Sequence, residues 1–330
     1  MGGNVFPGLN RRYGKDEYLA LADELKPKFD VLFSKWNVAP TFESKETFGD
    51  MDVVGVPRFA FSVEILAVAF GLHYSPPEKL LKYLTPIKNN GGTWSLIYKD
   101  FQLDLITCPD KEYEFTKRYM GVGDRGNFVG KLAHQLGLKF GHDGLWMVVR
   151  TDDNHQLGEI LLTLDPDVAE KFLDVKPLVN PKTLEDIFEN VAASRYFNPE
   201  GFLLENNNAV ARVRDKKRPS YNAMLEWSSK LPVPNGGWFP RVKDKSVYLD
   251  RIFLAFPDAK KEWTELWHKK EVLDKFRVMF NGDLVSEWTG LQGKQLGEFM
   301  VILKQHLRPE YVVNNMTPEM VEQFVREYFL

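Results

Sequence analysis

Two acids, Asp50 and Asp52, stand either side of a single methionine at the head of an apolar run, in the stretch ESKETFGDMDVVGV (residues 43–56). A short, valine-rich run bounded by polar turn residues reads as a strand. On a strand, residues i and i+2 share a face. Asp50 and Asp52 therefore present both carboxylates from one face, with Met51 and Val53 on the other. Two anions that close repel unless a cation sits between them. Hard divalent cations such as Mg²⁺ use carboxylate oxygens together with substrate phosphates. Two such ions, about 3.5–4 Å apart, clamp the attacking and leaving oxygens of an in-line phosphoryl displacement. That arrangement needs a third carboxylate from a neighbouring strand. Asp104 in FQLDLIT is the candidate, because a lone acid interrupting an alternating apolar run demands a partner. Taken singly, G-D-x-D is a common surface turn and Asp104 would suit a water-facing edge strand. The pair together with a third acid in a later strand points to a metal site.

The surrounding pattern supports a mixed α and β head over residues 1–150. Residues 14–34 have helical spacing, interrupted at Pro27. WNVAPTF and MDVVGV read as two short strands joined by a polar turn, and 60–72 as a helix, followed by a Pro-Pro start at Pro76 and EKLLKYL. TWSLIYKDFQLDLITC alternates over two strands with a turn near Lys99–Asp100. CPDKEYEFTKRYM reads as a helix, GVGDRGN as a glycine-rich loop, FVGKLAHQLGLKF as a helix and HDGLWMVV as a closing strand. After DDNHQLG the patterns become mostly helical, over 182–196, 219–230, 258–280, 293–307 and 317–329. The last has Thr317 as N-cap and Pro318 at the first helical position. The expected boundary falls near 150–180, with residues 151–330 as a mainly helical second domain.

Several function classes drop out. Cys108 is the only cysteine, which excludes an internal disulfide framework and a cysteine-rich zinc site. The net charge of −3 gives no global basic surface, although a local patch is still open. No run approaches the ~20 apolar residues of a membrane span. The N-terminus lacks the apolar core of a signal peptide, and Phe6 stands where myristoylation wants Ser or Thr. An intracellular, cytoplasmic setting is the expectation, with no membrane partner. The six histidines show no metal-ligand spacing, and there is no P-loop and no Ser-His-Asp pattern.

KETFGDMDVV closely resembles the catalytic turn and strand of the family X DNA polymerases, within the polymerase-beta-like nucleotidyltransferases. FQLDLITCPDKEYEF is similar to that family's third-carboxylate strand and the helix after it. KRYMGVGDRGNFVGKLAHQLGLKFGHDGLWMV is similar to its tyrosine, glycine-loop and helix segment. Together these cover about residues 43–148. The resemblance implies a nucleotidyltransferase head with a mixed sheet, in which Asp50, Asp52 and Asp104 hold two Mg²⁺, with Mn²⁺ as a substitute. Asp104 would also activate the 3′-hydroxyl nucleophile. It implies that Tyr119 and the Gly121–Gly123 loop lie by the sugar and base of the incoming nucleotide, with Asp124 and Asn127 near its base and Gly49 also among the nucleotide-binding residues. Lys131 would face the template strand. The family's Gly-Ser triphosphate turn is replaced by Ala39-Pro40, and its basic pair by Phe42 and Glu43. Triphosphate binding would then fall to Thr41, Ser44, Lys45 or the N-terminal GGN. No helix-hairpin-helix unit is seen ahead of the head, so gap-filling repair of the usual kind is not expected.

In the second half, FNGDLVSEWTGLQGKQLGEFMVILKQHL resembles the tail of tRNA CCA-adding enzymes and bacterial poly(A) polymerases, with Gly290, Gly293 and Gly297 matching its glycine turn. The bland reading of those glycines is a tightly packed helix corner. RVRDKKRPSY holds Arg212, Arg214, Lys216, Lys217 and Arg218, which would track a phosphate backbone or form a solvated loop. Trp238 and Phe239 offer base stacking or core. The expectation is an enzyme that adds nucleoside monophosphates from NTPs or dNTPs to DNA or RNA 3′ ends. The rivals are CCA-type addition, modification of a small molecule or protein, and a non-catalytic nucleic-acid-binding protein.

Overall fold

A computed structural model describes residues 3–72 and 86–329; the expected helix beginning at Pro76 lies outside them. The described chain falls into two compact units. The first holds the residues up to Met147 together with Leu161–Arg251, and the second Val148–Ile160 with Ile252–Leu330. The chain thus leaves the first unit near the expected boundary and returns to it for about ninety residues before the helical remainder.

The first unit is built on a five-stranded mixed sheet. Strands β2 (Phe33–Val38), β4 (Asp50–Pro57), β5 (Ile87–Asn90), β6 (Thr93–Tyr98) and β7 (Phe101–Thr107) lie in the order β2-β4-β7-β6-β5. Only β4 and β7 run parallel. A two-residue ladder, β1 (Tyr13–Gly14) with β3 (Thr47–Phe48), closes the turn before β4. One face of the central strands, Met51, Val53, Leu103 and Leu105, is buried against α1 (Lys15–Leu32) and α2 (Val63–Phe70). On the other face Val54 and Ile106 pack with Cys108 and Tyr113, the latter opening α3 (Tyr113–Met120). That second face carries the acids at its open end.

Helix α1 runs through Pro27 instead of breaking there. Its buried stripe, Tyr18, Leu21, Leu25, Phe29 and Leu32, continues past the proline, which is itself exposed. A proline inside a helix costs about 3 kcal/mol. Burying Phe29 and Leu32 contributes ~1.5–3 kcal/mol each, enough to offset it. Helix α4 (Arg125–Gln135) follows α3 after the four residues 121–124. A Cβ at Gly126 would lie 2.1 Å from the Tyr119 carbonyl oxygen, so only glycine lets the two helices meet there. The expected helix over FVGKLAHQLGLKF stops at Gln135. Gly137 turns the chain (φ +78) and Leu138–Gly141 becomes β8, paired with β9 (Gly144–Arg150). QLGEILLT, inside the half that reads as mostly helical, is β10 (Gln156–Thr163), and the sheet order is β10-β9-β8.

The rest of the first unit is helical: α5 (Pro166–Phe172), α6 (Leu184–Ala192), α7 (Ala209–Lys216) and α8 (Pro219–Ser229). Helix α9 (Leu249–Ala255) leads into α10 (Asp258–Met279), α11 (Gly282–Thr289), α12 (Gly293–His306), α13 (Pro309–Asn315) and α14 (Pro318–Phe329). The second unit's core is Phe276, Phe280, Val285, Leu303, Leu307, Val312, Val321 and Val325. Gly290 closes α11 and Gly293 opens α12, both with positive φ. A Cβ at Gly290, Gly293 or Gly297 would meet open space. Gly290 and Gly293 therefore serve backbone conformation, and none of the three serves the close packing of the bland reading. No helix among the described residues is long and apolar enough to cross a membrane.

Candidate active site

The parallel register places Asp50 opposite Gln102 and Asp52 opposite Asp104. Since side chains on adjacent strands share a face at matched positions, the three acids occupy one patch of sheet, partly buried. Among the described residues none of the three forms an ion pair within 4 Å. Burial pushes the Asp52 carboxyl up to about 8, and the neighbouring Asp50 and Asp104 push it further that way. The fields of Lys45 and Arg218 oppose this. Burial also raises Asp104, to about 6, although hydrogen bonds from Ser95 and Gln102 favour its charged form. Ser95 sits directly opposite on β6. Asp50 is raised by burial as well, with the Gly3 N–H, donating to its Oδ2 at 2.8 Å, working against the shift.

The three acids are not drawn into a closed three-ligand cage. Gln102 Nε2 donates to both oxygens of Asp104, at 3.1 and 3.0 Å. The donor chemistry nevertheless suits a hard divalent cation. All three groups are carboxylates, each oxygen retains a lone pair beyond the one a single donor takes, and a cation would remove the repulsion that raises Asp52.

The turn before β4 is tied down at the backbone. Glu43 and Ser44 N–H groups donate to the carbonyls of Pro181 and Lys182, both at 2.8 Å, and Lys45 N–H to Phe42 at 3.2 Å. Those amides are therefore engaged and not aimed at a phosphate. The Lys45 ammonium lies over the Phe48 ring, 4.6 Å from its centroid. Desolvation lowers its pKa, while Asp50 and Asp52 favour its charge. Thr41 Oγ1 is buried and makes no hydrogen bond. Ala39 N–H donates to the Asp52 carbonyl at 2.8 Å, and Val122 N–H to the Pro40 carbonyl at 2.7 Å. The Ala39-Pro40 turn thus fastens the Gly121–Gly123 loop beside the acid strand. Tyr119, behind that loop, packs against Phe140 with ring centroids 5.9 Å apart.

Beyond the loop the expected contacts change. Asp124 is taken by Arg218 and by Ser220 Oγ. Asn127 accepts from Arg214 at 3.0 Å. Lys131, expected to face a template, donates instead to Asn207 at 2.6 Å and pairs at 3.3 Å with Asp215, which is fully buried. Arg214 also binds Asp215, at 2.8 Å. Arg212 donates to the carbonyls of Leu204, Glu205 and Asn207. RVRDKKR is therefore not a solvated loop. It forms most of α7, capped by Asn208 Oδ1 on Ala211 N–H, and only Lys216 and Lys217 extend as exposed lysines. Trp238 and Phe239 pack edge-on to Phe197 and Tyr196. Sequence reasoning missed Asn10, Ser95 and Gln102 at the acid face, and named Gly3 only within GGN, as a triphosphate contact. Of these only Gln102 left a signal, as a polar residue two positions before Asp104 on the same strand face.

No protein-family model matches the chain, and no curated protein matches it.

Proposed function

We propose that the protein is a nucleotidyltransferase that moves a nucleoside monophosphate from an NTP or dNTP to a polynucleotide 3′-hydroxyl, releasing pyrophosphate. The observation that carries this reading is Asp52 directly opposite Asp104 on parallel strands, with Asp50 on the same face. Asp50, Asp52 and Asp104 would hold two Mg²⁺. Two such ions, if bound there, would supply neutralisation of the charge that develops on the transferring phosphate. Asp104 would accept the 3′-hydroxyl proton. The new bond joins the 3′-oxygen to the α-phosphorus as the α–β bridging bond breaks. Lys45, partly buried beside Asp50, would meet the triphosphate in place of the absent Gly-Ser turn. Positioning and electrostatics would supply most of the acceleration.

One observation favours untemplated addition to an RNA end as a second reading: Lys131, the residue expected at a template strand, is held by Asp215 and Asn207. The deciding experiment offers labelled primer–template DNA, single strands and a tRNA lacking CCA, each with all dNTPs and all NTPs in Mg²⁺. Extension by the wild type that is lost in Asp104→Ala supports the enzyme, and the preferred acceptor selects between the readings. No extension on any acceptor overturns polynucleotide transfer.

A further inference from the structure

The groups that reach the acid patch from outside the sheet come mostly from one place, the segment ahead of α1. Gly3 N–H donates to Asp50 Oδ2 at 2.8 Å. Val5 N–H donates to Gln102 Oε1 at 3.0 Å, and the other end of that amide holds Asp104. Asn10 fastens the segment at both sides. Its Nδ2 donates to the carbonyls of Gly3 (2.9 Å) and Gly49 (2.8 Å), and its Oδ1 accepts the Gln102 N–H at 2.9 Å. Phe6 is buried, and Lys88 Nζ donates to the Val5 carbonyl at 2.9 Å. One short stretch therefore touches β4 at Asp50 and β7 at Gln102.

We propose that residues Gly3–Asn10 form a positioning strap for the three acids, with Gln102 as its relay, and that divalent-cation binding depends on the strap. The inference rests on the metal-site reading above. An amide has a donor end and an acceptor end. Because the strap supplies an N–H, Gln102 must turn its oxygen towards Val5, which leaves its NH₂ for Asp104. Without the strap the amide loses that orientation, and the flipped form would set an oxygen against a carboxylate. Gly3 is required where it stands. Its φ is +84, and a Cβ would come within 2.2 Å of both the Gly49 carbonyl oxygen and Asn10 Nδ2. Gly8 shares the positive φ but faces open space, so it separates backbone strain from loss of the contact.

The test uses the full chain and titrates Mn²⁺, reading bound ion by electron paramagnetic resonance, with melting in chelator as the check on folding. The variants are Gly3→Ala, Asn10→Ala and Gln102→Leu, with Gly8→Ala as control. Outer partners of metal ligands typically contribute 10–100-fold in affinity or activity. Gly3→Ala and Gln102→Leu are expected to raise the half-saturating Mn²⁺ concentration by roughly that factor, and Gly8→Ala to leave it near wild type. Excess Mn²⁺ should then restore primer extension in Gly3→Ala, which a merely structural strap would not produce. Asn10→Ala, which adds no bulk, carries the test if Gly3→Ala fails to fold. Folded variants with wild-type Mn²⁺ affinity overturn the strap alone. A wild type that binds no Mn²⁺ overturns the strap and the metal-site reading together. Weakened binding in the variants, with no extension by any form, supports the strap and removes only polynucleotide transfer.

Discussion

The acid face of β4 and β7 and the charged helix α7 both gather ionisable groups in the first compact unit, and they treat charge in opposite ways. On α7 the buried Asp215 is matched by Lys131 and Arg214, and Arg218 just beyond it is matched by Asp124. On the strands three carboxyl groups share one patch with no cation within ion-pair distance among the described residues, and burial, with their own proximity, raises their pKa values. A saturated cluster needs nothing further to be stable. An unsaturated one costs folding free energy that a bound cation would return. This asymmetry makes the acids a candidate site and gives most of the basic run a structural role.

The largest expected effect belongs to the unsaturated side. Replacing Asp52 by Ala should lower primer extension by roughly 10³-fold or more, since about 4 kcal/mol of transition-state stabilisation corresponds to that factor. The folded state should survive, because the change removes one member of a repelling set. A steady-state assay beside a thermal melt checks both halves. Next comes Asp215→Ala, which leaves Lys131 partly buried without its anion. Breaking a buried pair costs ~3–5 kcal/mol. The exposed half of Arg214 can return to water, so a loss near 3 kcal/mol in urea unfolding is expected. Equal stability losses at Asp52 and Asp215 would break the contrast.

A pH dependence of smaller size sharpens it. In the metal-free protein Asp52 and Asp104 bind protons more tightly folded than unfolded, with folded values of about 8 and about 6. The contribution of such groups is fully present below their unfolded values near 4 and is lost as pH rises through 6 and then 8. The melting temperature of wild type minus that of Asp52→Asn should therefore fall between pH 5 and pH 8.5 by several degrees. Subtraction cancels the titrating groups that do not interact with Asp52. Mg²⁺ should restore more stability at pH 8 than at pH 5, because it needs the ionised carboxylates. A flat difference would mean that the folded protein does not raise the Asp52 carboxyl.

What was legible in the sequence follows from the range of the interactions. Period-two alternation and G-D-x-D marked β4 and β7, and the acids fall in register because both strands begin at the same level. Pro27 was read by a local rule, whereas the buried stripe on both sides of it decides α1. The switch from helical spacing to alternation at Leu136–Phe140 is short, so β8 merged with α4 in the reading. Charge density in RVRDKKR concealed α7, although Asn208 is a good N-cap. The strap had no local signature at all: Gly3 meets Asp50 across 47 positions and Val5 meets Gln102 across 97. Backbone donors reaching side chains at that range leave no periodicity to find.

The smallest expected effect tests what remains of the basic run as a nucleic-acid surface. Arg212, Arg214 and Arg218 are committed to carbonyls and carboxylates within the unit, which leaves Lys216 and Lys217. Removing both charges should change stability by less than about 0.5 kcal/mol, as for ordinary surface substitutions. If both lysines contact phosphates of a single strand, the slope of log affinity against log salt should lessen by about 1.4, at roughly 0.7 per contact. Fluorescence anisotropy with a labelled single strand at several salt concentrations measures this. An unchanged slope would place α7 wholly on the structural side of the comparison, and any polynucleotide would then have to be held by other surfaces of the chain.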